Sequence, residues 1–336
     1  MERYYRTRGL LSLALLSLAS LAAPCAIAKD KNPEHDPDQI GSRDVGKGIN
    51  FYSMEREIGL GKEMAQEAER QAKMVDDAVV TEYINRLVGT VSHNSDAKVP
   101  FTIKVIDSDE VNAFALPGGF MFVNTGLILK ANNEAELAGV LAHEIAHVAA
   151  RHGTRQATRG QLVNYGTIPL IFAGGWAGFA VRQAVQLAVP LGFLKFSRNM
   201  ETEADLLGLQ YMYKAGYDPT EFINFFERIQ TLEKNKPGAV SKLFSTHPMT
   251  GDRIRAAQKT IQQDLKAAPQ YVVDTSEFHD VRTRLIMLGN RLKLREEPGR
   301  PVLHTRSSAK VDQSAQADRN DRPDDGDSER PKLKRN

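Results

Sequence analysis

Cysteine is almost missing from this 336-residue chain: the single one, Cys25, falls in an N-terminal leader. Cleavage of that leader removes the thiol, which excludes disulfides from the mature fold and leaves histidines and carboxylates as metal ligands. An excess of charge is missing too, since 44 Lys and Arg stand against 42 Asp and Glu, a formal +2. Arg3, Arg6 and Arg8 against Glu2 account for that surplus, so the remainder is neutral. Without a basic excess to neutralise phosphates, nucleic acid is excluded as a partner. No internal repeat is present, and no array of helical pairs lies toward the C-terminus. Nor is there an unbroken apolar run of comfortable spanning length, because Leu10 to Ala23 is too short. The stretch 162–194 is interrupted by Arg182 and by Gly166, Pro169, Gly174, Gly175, Gly178 and Pro190.

What is present divides the chain into four parts. Residues 1–28 read as a secretory signal peptide: a basic start, an apolar core and a small-residue site at Ala26-Ile27-Ala28. Pro24 before Cys25 and Ala22 two positions earlier argue against lipid anchoring at that cysteine. Residues 29–50 read as a polar linker and 51–295 as one folded domain. From Glu296 to Asn336 the chain is rich in Pro, Ser, Asp, Arg and Gln, the composition of a disordered tail. The apolar stretch 162–194 fits a buried helical pair or a surface that dips into a bilayer better than a transmembrane span.

Within the domain the patterning predicts a mainly α fold with a small β-sheet, an α+β arrangement. Apolar spacing marks helices over Glu55–Gln71, Val79–Ser92, Glu134–His152, Arg198–Lys214, Thr220–Lys234 and Gly251–Leu265. Phe101–Ile106 alternates as a strand. Ala113–Leu116 and Phe120–Asn124 are short apolar runs joined by Pro117-Gly118-Gly119, a hairpin signal.

The chemistry is carried by His143-Glu144-Ile145-Ala146-His147. Two histidines four apart on a helix project from one face and can bind one metal ion, with zinc the expected cofactor, one per chain. Glu144 lies about 100° around the helix, beside the open coordination position, where it can take a proton from a bound water and pass it to a leaving amine. A third ligand is needed, and the position six residues after His147, where a further histidine is usual in one large class of such enzymes, is Gly153. A carboxylate on a separate helix is the better candidate. In Glu201-Thr202-Glu203-Ala204-Asp205, Glu201 and Asp205 share a face while Glu203 points about 160° away and needs a partner elsewhere. Glu201 is therefore expected on the metal, and Asp205 on the spare N–H of a ligating histidine.

His143-Glu144-x-x-His147, Glu201-x-x-Ala204-Asp205 and Ser245-Thr246-His247-Pro248 together resemble the HtpX and CAAX-prenyl-protease type of zinc peptidase, metallopeptidase family forty-eight. With Asn112-Ala113-Phe114-Ala115-Leu116-Pro117-Gly118-Gly119 ahead of the metal helix, the order is most similar to the soluble periplasmic branch, the BepA- and LoiP-like members. The resemblance runs from about Ile58 to about Ile261 and implies a gluzincin-type fold whose edge strand holds substrate extended. It implies that Asn112, Ala113, Phe114, Ala115 and Leu116 bind peptide by strand addition. His247 and Arg253 match family positions near the metal, where they would stabilise an oxyanion, or where His247 would cap the metal at rest.

The implied activity is a periplasmic metalloendopeptidase acting on unfolded or misassembled envelope proteins. Gly119-Phe120-Met121-Phe122 lacks the Glu-Asn of the related exopeptidases, which favours internal cleavage. Two alternatives stay open: an envelope chaperone with a capped or structural zinc, and a processing protease that docks on membranes through 162–194. The BepA-like members carry C-terminal helical repeats where this chain has its polar tail, so no role at the outer-membrane assembly machinery is implied. Oligomeric state is not legible.

Overall fold

The computed structural model describes residues 32–171, 196–235 and 246–296, without the side chains of 162–171 and 290–296. The readings made for the leader with Cys25, for the tail from 297 onward and for the side chains of 162–194 lie outside the described residues. In chain order, α1 (Met54–Gln71) and α2 (Ala78–His93) precede β1 (Thr102–Ile106), β2 (Ala113–Leu116) and β3 (Phe120–Asn124). Then follow α3 (Thr125–Lys130), α4 (Glu134–Ala149), α5 (His152–Ile171), α6 (Arg198–Lys214), α7 (Thr220–Asn235), α8 (Gly251–Gln263) and α9 (Ser276–Glu296). Among the described residues no helix is long and apolar enough to cross a membrane.

The sheet has the order β1-β3-β2, with β3 parallel to β1 and antiparallel to β2. Four of the five residues of β3 are buried, as a central strand covered on both faces must be. β2 is an edge strand, which matters below. The β2–β3 turn uses Gly118 at φ 75°, and a Cβ there would stand 2.6 Å from the Cα of Ile58, so only glycine fits between the turn and α1.

The fold is organised around α4. Asn133 caps it, accepting from the Glu136 amide at 2.9 Å, and every residue from Glu134 to Ala149 is buried. A helix buried on all sides must satisfy its polar groups internally. Glu134 accepts from the hydroxyls of Tyr83 (3.0 Å), Tyr217 (2.7 Å) and Thr275, while Glu136 pairs with Arg228. The apolar remainder packs with α2 through Val80, Ile84, Leu87, Val88 and Val91, and with Phe222, Phe225 and Phe226 of α7. Along α6, Gly208 lets the two helices close up: a Cβ there would lie 3.1 Å from the Cα of His143.

Two expectations are corrected here. α4 does not run to His152. It ends at Ala149, Arg151 adopts φ 54°, and α5 starts afresh at His152. The left-handed turn is held by the Arg151 side chain, whose Nε donates to Glu57 Oε2 at 2.7 Å and whose Nη2 donates to Tyr52 O at 2.7 Å. The described part of the presumed linker, residues 32–50, is also packed on the domain. Arg43 is buried and donates to Asp96 Oδ2 (2.9 Å) and Gln210 Oε1 (2.6 Å), with Tyr211 completing the cluster. Ile40 and Val45 of this stretch pack against the main core beside it.

Candidate metal centre

α4, α6 and the segment before α8 bring His143, His147, Glu201 and His247 together. One ligand atom from each lies within 4.8 Å of the others, and all four residues are buried. His147 Nε2 stands 3.0 Å from His143 Nε2, and His143 Nε2 is 3.4 Å from His247 Nδ1. Glu201 Oε1 is 3.0 Å from His247 Nδ1 and 3.6 Å from His147 Nε2, while its Oε2 is 3.5 Å from His143 Nε2. His143 turns Nδ1 toward Asp205 Oδ1 at 3.1 Å. A carboxylate only accepts, so it favours a proton on Nδ1, with Nε2 directed into the cluster. Imidazole nitrogens and a carboxylate converging in a buried site fit a divalent cation that takes N and O ligands.

Burial alone would strip the proton from His143, but the Asp205 and Glu201 carboxylates overcome it and raise the group to about 9. Burial would equally raise Glu201, yet hydrogen bonds from His143 and His247 hold it far below the usual carboxylate range. His147 is pushed well below its ordinary value, by burial first and then by the neighbouring histidines.

Glu144 stands beside this cluster. Its Oε2 accepts from the Ala115 amide of β2 at 3.0 Å, and its Oε1, buried without a hydrogen-bond partner, faces His247 Nε2 at 3.5 Å. Burial raises its carboxyl against the pull of His247 and His143. A carboxyl poised in this way can hold a proton and release it, as a general base turned acid requires. Ala113 to Leu116 form β2, which among the described residues pairs only with β3, so its other side borders Glu144. Phe114 stacks on Phe122 at 5.1 Å, and Asn112 O accepts from the Asn124 amide at 3.0 Å just before the strand.

Arg253, expected near the metal as an oxyanion stabiliser, lies against the carboxylates of α6. Its Nε and Nη2 donate to Asp205 at 2.7 and 2.6 Å. Nη1 donates to Pro248 O at 2.9 Å and lies 2.9 Å from Glu201 Oε2. All three nitrogens are engaged, so the guanidinium clamps two carboxylates of α6.

Several residues at the site escaped the sequence reading. His152 Nδ1 lies 2.8 Å from His147 Nδ1, and His152 Nε2 is 3.1 Å from Glu203 Oε2. Glu203, which needed a partner, therefore has two, since Arg155 Nη1 also reaches it at 3.2 Å. Phe196 stacks on His147 at 4.1 Å. Only the Arg151-His152-Gly153 run at the end of a predicted helix hinted at this arrangement.

Residues 75–261 match the model of Peptidase family M48. A putative beta-barrel assembly-enhancing protease of Vibrio cholerae is 32% identical over 84% of this chain and 57% of its own length. The beta-barrel assembly-enhancing protease of Escherichia coli K12 is 30% identical over 83% of this chain and 56% of its own. The mitochondrial metalloendopeptidase OMA1 of Schizosaccharomyces pombe is 34% identical over 55% and 52%. The chain thus spans little more than half the length of these relatives. The matched interval encloses every residue placed around the cluster, from Asn112 to Arg253, and this chain belongs to peptidase family M48.

Proposed function

We propose that this chain is a zinc-dependent metalloendopeptidase of the periplasm that cuts misfolded or misassembled envelope proteins. The observation that carries the reading is Glu144, held between the Ala115 amide of an edge strand and a His143, His147, Glu201, His247 cluster. The names of the bacterial relatives, proteases that enhance β-barrel assembly, support an envelope client, and the leader supports export.

Zinc held by His143, His147 and Glu201 would polarise the scissile carbonyl and acidify a water. The protein supplies the rest. An extended substrate segment adds to the outer side of β2, so main-chain groups set its register and side-chain identity matters little. Glu144 takes the proton of the attacking water at Oε1, which has no hydrogen-bond partner among the described residues, while the Ala115 amide fixes Oε2. It then hands that proton to the departing amine nitrogen. Asp205 orients His143, and Arg253 holds Asp205 and Glu201 in place. His247, seated inside the ligand cluster, would be a fourth residue able to hold the ion at rest, or would face the oxyanion.

Removal of metal tests this reading. Treatment of the purified chain with a zinc chelator should stop its cleavage of an unfolded protein such as casein, and one equivalent of zinc should restore it. Undiminished cleavage after metal removal contradicts the proposal.

A further inference from the structure

The acidic run of α6 holds three carboxylates close to the cluster, and two of them have evident tasks. Glu201 lies among the ligand atoms and Asp205 faces His143 Nδ1 at 3.1 Å. Glu203 points away from both, yet its Oε2 is 3.1 Å from His152 Nε2, and His152 Nδ1 is 2.8 Å from His147 Nδ1. We propose that His152 is a positioning residue of the metal centre, one that transmits the hold of Glu203 to His147 and keeps that ring's Nε2 lone pair turned to the metal.

The argument follows the protons. A carboxylate accepts and cannot donate, so Glu203 requires the proton of neutral His152 to sit on Nε2. The Nδ1 of His152 is then a bare acceptor. Among the described residues the donor at hydrogen-bond distance from it is His147 Nδ1, which must carry a proton in turn. That leaves His147 Nε2 without one, 3.0 Å from Nε2 of His143. Carboxylates of one helix thereby face both histidine ligands at Nδ1, His143 directly and His147 through one relay ring. Burial of His152 and His147 keeps water from competing for these positions.

The surroundings are built to hold His152 there. The left-handed Arg151 turns the chain so that α5 begins beneath His147, at the cost of an uncommon backbone conformation. Arg151 Nε and Thr154 Oγ1 both bond Glu57 Oε2, at 2.7 and 2.9 Å. Arg155 Nη1 spans Ala150 O and Glu203 Oε2, each at 3.2 Å, tying the end of α4 to the carboxylate. Phe196 stacks on the His147 ring, with ring centroids 4.1 Å apart.

This inference rests on the metal-centre reading, so the test reads metal affinity and tautomer, not peptide cleavage. Zinc dissociation constants of the full chain are measured by competition with a chelator of known affinity. Imidazole 15N shifts of the metal-free chain report which nitrogen of His147 carries the proton. His152→Ala should weaken zinc binding about 10- to 100-fold. His152→Gln should restore most of the loss, because its amide can accept from His147 and donate to Glu203. Glu203→Gln, at a side chain 27% exposed, should also weaken binding and shift His147 toward the Nε2–H form, since an amide can donate to His152 and reverse the relay. Wild-type zinc affinity in Glu203→Gln overturns the proposal, even if His152→Ala fails to fold. So does His152→Gln binding no better than His152→Ala when both are folded. A wild-type chain that takes up no zinc overturns the metal-centre reading itself, and this inference with it.

Discussion

The backbone amide of Ala115 donates to Glu144 Oε2 at 3.0 Å, joining the edge strand to the carboxylate beside the metal cluster. A single hydrogen bond thereby links the place where a peptide would lie to the group that would move its protons. Replacing the amide tests the link without touching a ligand. Ala115→Pro removes the N–H, and cleavage should fall by about tenfold or more for loss of one well-placed bond to a charged group, with zinc content unchanged. Turnover per bound zinc is the quantity to compare.

Arg253 is the buried cation that holds Asp205 and Glu201 together. Arg253→Ala leaves two buried carboxylates without their partner and should cost about 3–5 kcal/mol of stability. Arg253→Lys should rescue little of it, since an ammonium cannot form the paired contact to Asp205. Urea unfolding of both variants reads the difference.

The acidity of His143 predicts how the metal-free protein responds to pH. Its group is raised from an ordinary value near 6.5 to about 9, so the folded state binds a proton that the unfolded chain releases. That stabilisation is complete below about pH 6.5 and is lost as pH climbs through about 9. The melting temperature of the metal-free chain should therefore fall across that window. Zinc affinity should rise across it, because binding has to displace the same proton.

Gly208 sets the approach of α6 to α4. Gly208→Val adds atoms against the backbone of His143, where a single Cβ already comes within 3.1 Å. We expect a loss of about 1–3 kcal/mol from overpacking. Zinc affinity should fall as well, because Glu201 and Asp205 move with the helix.

Much of this arrangement was legible in the sequence, and the exceptions have a common cause. β2 and β3 were readable because short apolar runs flank Pro117-Gly118-Gly119 and both strands are local in sequence. The helix-face argument separated Glu201 and Asp205 from Glu203, and the structure puts the first two near His143 and the third on the opposite side of the relay. The end of α4 was not legible, because a positive φ at Arg151 is imposed by Glu57 and Tyr52, nearly a hundred residues away in the chain. His152 vanished with it: on an unbroken helix it would have faced away from His147. The order in residues 32–50 was hidden for a related reason, since Arg43 ties the segment to Asp96 and Gln210, distant in the chain, besides bonding the carbonyls of Pro33, Glu34 and Asp36.

The account stands most directly on Glu144. Zinc content and casein cleavage should be measured side by side for the wild-type chain and Glu144→Gln. We predict one zinc in each and cleavage by the wild type alone, with the variant reduced by at least about 100-fold. Cleavage by Glu144→Gln at the wild-type rate, or an active wild type that holds no zinc, would contradict it.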